Sequence, residues 1–325
     1  MKKLILILFL TVFPFLSNCL AVESVDILTK KIYSEQGNDP SKVSLSYYSD
    51  YFSFVGSDSK GRVAFALDNN RGQDGEEFQA EHFLVLHDEH QGWQRVYGNG
   101  SYPNTHKELI IIPNSEAFQF KGTPEKGMEI NSSVNRLKLS IEPVNNYLEN
   151  KKGTAHLRMG SSSAVLQWGD RQIQGRVIYE YIYLPQFNRL SRGYTGLWKD
   201  FHGIYLSVEG GGDFYYHSQK SKLLAPPVGE SSGFFFSKKG QPTALSKIDI
   251  NPGDYEQAKG TYQWPTSWKG TLSCGTIPYR LRVNLSERKT ISNWVTGGFA
   301  MGILTGEISS GKNKLKVYGL GELLI

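Results

Sequence analysis

The chain has 325 residues, of which 39% belong to the hydrophobic set and 21% are charged, so it can bury a core and is not a disordered chain. Lys and Arg number 36 against 31 Asp and Glu, a formal charge of +5; with no block of five basic residues and no recognised module, this argues against nucleic acid as a partner. The 2 cysteines exclude a disulfide-dense scaffold, and the 34 glycines, having no Gly-X-Y period, exclude collagen.

Met1-Lys2-Lys3 is a positive n-region, residues 4–16 are apolar around Pro14, and Cys19-Leu20-Ala21 ends on a small residue. That layout is a secretory signal peptide over residues 1–21, cleaved after Ala21. Leu16-Ser17-Asn18-Cys19 offers the alternative, since it resembles a lipoprotein signal in which Cys19 carries the lipid, although Asn18 replaces the small residue expected there. Either reading exports the body of the chain, to the periplasm or beyond, with peripheral or lipid-anchored association with the envelope open. After cleavage Cys274 has no internal disulfide partner and reads as a small buried apolar residue.

Residues 24–36 place Val25, Ile27, Leu28 and Ile32 at helical spacing, and Gly37-Asn38-Asp39-Pro40 stops that helix. Everything beyond reads as strand. Residues 43–48, 51–55, 62–67, 82–87 and 108–112 come first. Then Leu137, Leu139 and Ile141 alternate with Lys138, Ser140 and Glu142, the period of a half-buried strand. Further strands are predicted over 164–168, 174–184, 202–208, 212–216, 233–236, 260–264, 279–285, 298–304 and 314–324. Turns rich in glycine and polar residues separate them at 58–61, 69–72, 99–100, 210–212, 238–240 and 309–311. Many short strands with close turns, and no helical pattern between them, specify an all-β antiparallel chain. The length fits two β units, 22–188 and 189–325, joined through the polar stretch 186–196; residues 145–153 are a second candidate joint or a long hairpin loop.

The sequence contains no nucleophile elbow, Walker loop, paired-histidine zinc helix or Cys-x-x-Cys. His82, His87, Glu89 and His90 lie close together, but the odd spacing of His82 and His87 puts them on opposite strand faces. No metal and no cofactor are therefore expected. In 174–184, Arg176, Ile178 and Glu180 share one face with Ile182 and Leu184, while Val177, Tyr179, Tyr181 and Tyr183 share the other. A charge on an aliphatic face must be paired or protonated. Glu180 is thus a candidate acid, and Arg176 is either its structural partner or a ligand contact. Tyr181 is a candidate aromatic wall, which parity keeps off the Glu180 face. Asp200 and His202 share a face with Ile204, Leu206 and Val208, which suits an oriented general acid or base as well as a core histidine bonded to backbone. Trp198 beside them can floor an apolar pocket. Arg71, in the polar run 68–72, reads as a turn residue and as a candidate holder of a ligand carboxylate.

The order of elements resembles a two-domain lipocalin-like family that includes carotenoid hydratases (hydroxyneurosporene synthases) and AttH-type secreted proteins. Tyr51-Phe-Ser-Phe-Val-Gly56 followed by Lys60-Gly-Arg-Val-Ala-Phe65 is similar to the family's opening hairpin, and the run starting at His82-Phe83 to its His-Phe strand. Gly175-Arg-Val-Ile-Tyr-Glu-Tyr181 sits where the family has Trp-x-Asp-His-Glu-Trp, and the strand from Trp198 resembles its Gly-Trp-Asp-Trp-Phe segment. Gly306-Glu-Ile and Gly319-Leu-Gly-Glu-Leu323 are similar to its Gly-x-Gly-Tyr-x-Glu ending. The family's tandem Trp-Trp-Tyr is missing, and only Glu180 stands for its acidic segment. The resemblance implies two lipocalin-like antiparallel β-barrels packed together after a short N-terminal helix. It also implies groups that protonate an isoprenoid double bond or position a polyene.

Three functions fit these observations. The first is an exported protein that binds a hydrophobic small molecule, of isoprenoid, fatty acyl or polyketide type, in a β-barrel cavity. Glu180, Asp200 and His202 would be its polar contacts, with Trp198, Tyr181, Arg176 and Arg71 around them. The second is a hydratase, cyclase or isomerase in the same cavity, with Glu180 as general acid held protonated by its apolar face. The third is an envelope polysaccharide-binding or carbohydrate-active β-sandwich, with exposed Trp and Tyr stacking on sugar rings.

Overall fold

The computed structural model describes residues 45–74, 77–98, 102–103, 112, 114–133, 136–152, 155–184, 198–221, 232–257, 263–294 and 297–324. The expected signal peptide, the helix expected at 24–36 and the joint expected at 186–196 fall outside them. Among the described residues every regular element is a strand. The first half contributes β1 (Leu45–Asp58), β2 (Gly61–Asp74), β3 (Glu77–Asp88), β4 (Gly92–Gly98), β5 (Tyr102–Pro103), β6 (Phe118–Thr123), β7 (Gly127–Ser132), β8 (Leu137–Ile141), β9 (Tyr147–Lys152), β10 (Ala155–Trp168) and β11 (Arg171–Leu184). The second contributes β12 (Trp198–Val208), β13 (Gly212–Ser221), β14 (Ser232–Ser237), β15 (Pro242–Gln257), β16 (Gln263–Cys274), β17 (Ile277–Trp294), β18 (Gly297–Ser310) and β19 (Asn313–Leu324).

The second set closes on itself, with β19 returning to pair with β12 and leaving no edge strand. The first set forms a curled half-barrel in the order β4-β3-β2-β1-β11-β10-β8-β7-β6, with β5 on β3 and β9 on β10. The all-β fold of two lipocalin-like units is therefore present. One unit is a closed barrel, and the other remains an open curl among the described residues.

Alternation sorts the side chains into three cores. Phe52, Phe54, Phe65, Leu67, Val177 and Tyr179 point into the half-barrel. Ile204, Leu206, Phe214, Trp268, Val283 and Leu304 fill the closed barrel. The third core is a seam, where Tyr51, Val55, Ala66 and Ile178 on the outside of the half-barrel meet Tyr205, Tyr215, Met301 and Leu320 on the outside of the barrel. A strand covered on both faces loses its polar alternation. That is why Val63, Ala64, Phe65, Ala66 and Leu67 run without a polar break and are all 0% exposed. Gly56 and Gly175 face each other across β1 and β11, and a Cβ on Gly175 would lie 2.3 Å from the Val55 carbonyl oxygen, so this close approach of two strands requires glycine.

The turn expected at 69–72 does not form. β2 runs through it and is paired with β1 on one side and β3 on the other. The polar run survives inside a strand because its inward side chains have partners: Asn69 Nδ2 donates to the Asp50 carbonyl at 3.0 Å, and the Arg71 guanidinium pairs with the Asp50 carboxylate. β15 was not expected, since its outward residues are polar, its pairing slips between Ser246 and Asp249, and Lys247 and Asp254 have positive φ of 49° and 48°. Such bulges break the period of two on which sequence reading depends.

Candidate functional site

Cross-strand register builds a polar row in the seam. Tyr51 of β1 lies opposite Asp68 of β2 on one side and Glu180 of β11 on the other. Facing this row from the barrel are Tyr205 of β12, Tyr215 of β13 and Glu322 of β19. Tyr205 donates its hydroxyl to Glu180 Oε2 at 3.1 Å. The rings of Tyr51 and Tyr205 are 5.0 Å apart, as are those of Tyr205 and Tyr215. Ser49 Oγ donates to Asp68 Oδ1 at 2.6 Å.

Burial pushes the Glu180 carboxyl up to about 7, against the Tyr205 hydrogen bond and with help from the nearby Asp68 charge. Burial, then the Asp68 and Glu180 charges, push Glu322 up to about 8. No cation is among the causes acting on either carboxyl. At neutral pH Glu180 is therefore close to half-protonated and Glu322 mostly protonated, so neutral carboxyl is available for proton delivery. Tyr51, Tyr205 and Tyr215 are driven well above the ordinary phenol range, first by burial and then by these same carboxyls, so they remain neutral donors. The Tyr51 hydroxyl is buried with no hydrogen-bond partner among the described residues. Glu180 is only 7% exposed. Asp68 and Glu322 keep partial solvent contact, so the cluster opens on their side.

Charged contacts hold the seam on either side of this cluster. Arg176 Nε meets Asp213 Oδ2 of the barrel at 2.5 Å, and its Nη1 donates to the Lys238 carbonyl at 2.9 Å. Elsewhere His87 Nε2 lies 3.0 Å from Glu287 Oε2, an ion-pair distance without hydrogen-bond alignment, while His87 Nδ1 lies 3.3 Å from the Tyr318 hydroxyl. The Arg62 guanidinium covers the Tyr318 ring at 4.4 Å.

The residues singled out in the sequence divide among three places. Glu180 and Arg176 share the seam face, yet Arg176 pairs with Asp213 rather than Glu180. His202 faces the barrel interior, where Trp268 Nε1 donates to its Nδ1 at 3.4 Å; this is the core-histidine arrangement, and it lies on the opposite strand face from Tyr205. Tyr181 packs against the half-barrel core. Arg71 is 0% exposed inside the half-barrel, committed to Asp50. Asp200 and Trp198 have backbone in β12, but their side chains fall outside the described residues. Sequence reasoning missed Asp68, Glu322 and the three tyrosines. Glu322 carried the same signal as Glu180, an acid within an apolar strand, but no rule of periodicity brings β19 to β11. Among the described residues no group of three or more His, Cys, Asp or Glu is arranged to hold a metal. Clefts of about 340 and 330 Å³ lie at turn ends of the half-barrel, the first beside Arg136 and Lys138, the second beside Lys60 and Asp170. Their rims are charged and neither touches the carboxyl cluster.

No protein-family model and no curated protein sequence matches the chain. Solved structures do. A protein described as an AttH from Nitrosomonas europaea superposes with a TM-score of 0.59 at 8% identity, covering 86% of this chain and 92% of that one. Kievitone hydratase from Nectria haematococca gives a TM-score of 0.56 at 10% identity, covering 85% and 88%. CghA with Sch210972 gives 0.53 at 10% identity, covering 86% and 88%. At such identities the likeness is one of fold, and the resemblance read from the sequence holds at that level: the chain has the two-unit β fold of AttH-type and hydratase proteins.

Proposed function

We propose that the protein performs acid–base chemistry on an apolar small molecule held at the seam between half-barrel and barrel. One observation carries this reading: Glu180 and Glu322, from two different sheets, flank the Tyr205 hydroxyl in a buried aromatic setting with carboxyls raised to about 7 and about 8. A neutral carboxyl among tyrosine rings is suited to delivering a proton to an alkene or enol, and a second carboxyl close by is suited to taking one from water or from carbon. Glu180 is the general acid and Glu322 its partner, while Tyr205 orients both. Hydration, cyclisation and isomerisation all fit this proton inventory. Two of the structures that share the fold are named for a hydratase and for a complex with a small molecule, which supports an apolar ligand. Export and envelope localisation rest on the sequence reading of residues 1–21 and belong to the same proposal.

The test is Glu180→Gln in the purified chain, screened against isoprenoid and polyketide alkenes. Glutamine keeps the shape and removes the transferable proton. Turnover should fall by at least about 100-fold, the usual worth of a positioned acid, with binding retained. Unchanged turnover would remove Glu180 from the mechanism. Binding without turnover in the unmodified chain would leave a carrier of hydrophobic ligands.

A further inference from the structure

The barrel has one end made of tight turns, at 209–211, 238–241, 275–276 and 311–312. The inward positions at this end are apolar but incompletely covered. Ile277 is 50% exposed and Leu315 is 40% exposed, two of three large hydrophobics that stand out from the described surface. Phe235, Leu245, Ile248 and Tyr279 lie behind them, half-buried against the barrel core. The outward positions of the same strands are basic. Cross-strand pairing puts Lys269 beside Arg282, Arg282 beside Glu307, and Glu307 beside Lys316. One step nearer the turns, Arg280 lies beside Ser309 and Ser309 beside Lys314. Lys312 occupies the turn itself. All six cations are exposed, and residues 311–316, Gly-Lys-Asn-Lys-Leu-Lys, are exposed without a break. Acids also enter this field: Glu307 is taken by Lys314 at 3.5 Å, the turn residue Glu209 accepts from the Lys316 amide at 3.3 Å, and Asp249 lies two strands from Arg280 in the same row.

An apolar rim flanked on β16 to β19 by lysine and arginine is complementary in charge and polarity to the interface of an anionic bilayer. Aliphatic side chains enter the headgroup boundary, while long basic side chains reach the phosphates around them. A nucleic acid would use the cations but would leave the aliphatic rim in water. We propose that the tight-turn end of the barrel docks on a membrane surface rich in anionic lipid, with Ile277 and Leu315 dipping below the phosphates and Lys312, Lys314 and Arg280 bound to them. The half-barrel touches this end at the 238–241 turn, where the Lys238 carbonyl accepts from Arg176 Nη1, while the basic residues lie on β16 to β19 and their turns. The proposal does not depend on the seam chemistry.

The apolar residues 4–16 can themselves bind lipid, so the reporter must be local. We would place an environment-sensitive dye at Thr276→Cys in the full chain, with Cys19 and Cys274 changed to Ser, and titrate vesicles of phosphatidylcholine with about one-quarter phosphatidylglycerol. The expected result is a blue shift at position 276 that is absent on pure phosphatidylcholine and reversed by salt. Lys312→Glu with Arg280→Glu should weaken the dye response about thirtyfold or more, since each basic residue near an anionic surface contributes about a fivefold gain. Leu315→Asp should weaken it as well, whereas Lys121→Glu with Lys126→Glu on the half-barrel should not. Circular dichroism confirms that each variant is folded. Vesicle association without a dye response, an equal response on phosphatidylcholine, or an equal response to a soluble polyanion such as heparin would each overturn the proposal.

Discussion

The two faces of β1, β2 and β11 hold carboxyl groups in opposite circumstances, although the residues concerned are neighbours in sequence. Inside the half-barrel Asp50 is 4% exposed, ion-paired to Arg71, and accepts the Tyr179 hydroxyl at 2.5 Å. Beside it His82 is 0% exposed, and burial with the Arg71 charge depresses it to about 3, so it stays neutral. One residue along each strand, on the seam face, stand Tyr51, Asp68 and Glu180, where Glu180 shares its space with further acids. Burial is common to both faces. The difference is the partner: a cation fixes a carboxylate as structure, while a second acid and a phenol leave a proton in play. Depth of burial alone therefore does not identify a functional group.

The largest effect that separates the faces is removal of the cation. Arg71→Met should cost about 3–5 kcal/mol, because it leaves Asp50 buried and unpaired; urea unfolding measures it, and adding Asp50→Asn should recover much of the loss. Removal of the acid on the other face should behave in the opposite way. A carboxyl raised in the folded state holds its proton longer than the unfolded chain does, so its contribution to stability is full below the unfolded value near 4.5 and is lost as pH rises through about 7 for Glu180 and about 8 for Glu322. His82 and His217, depressed to about 3 and about 4, act the other way, but only below their unfolded value of 6.5. Between pH 6.5 and 8 the carboxyls act without that opposition, and stability should fall by about 2 kcal/mol. Glu180→Gln with Glu322→Gln should flatten this slope. A wild-type curve that rises over the interval, or a double variant that keeps the slope, would show that the cluster is not protonated as described.

How much of this was legible in the sequence follows from what each signal encodes. Leu137–Ile141 and 174–184 announced themselves as strands because one face or both meet apolar neighbours in a strict period of two. The same parity flagged Glu180 as an acid among aliphatics and kept Tyr181 off its face. Parity has no information about which strand of a distant sheet lies opposite, so Arg176 was matched with Glu180, its neighbour in sequence, and not with Asp213, 37 residues away across the seam. Arg71 was read as a turn residue because four consecutive polar residues ordinarily avoid a buried strand. Asp50, 21 residues earlier, removes that objection and is invisible to a local rule.

The smallest expected effect sharpens the comparison most, because it removes a single hydroxyl from the seam. Tyr205 gives its hydroxyl to Glu180 and lowers both seam carboxyls from where burial alone would put them. Tyr205→Phe keeps the ring contacts with Tyr51 and Tyr215 and deletes only that donor. Stability should fall by only about 1 kcal/mol, the net value of one buried hydrogen bond. The Glu180 titration should move upward from about 7, since the ionised form loses its donor. Carboxyl carbon NMR on glutamate-labelled protein reads the shift directly. If Tyr205 merely fills space, the titration stays where it is while stability changes. If it governs the proton, the titration moves even where stability barely does, and the pH at which any turnover is half-maximal moves with it.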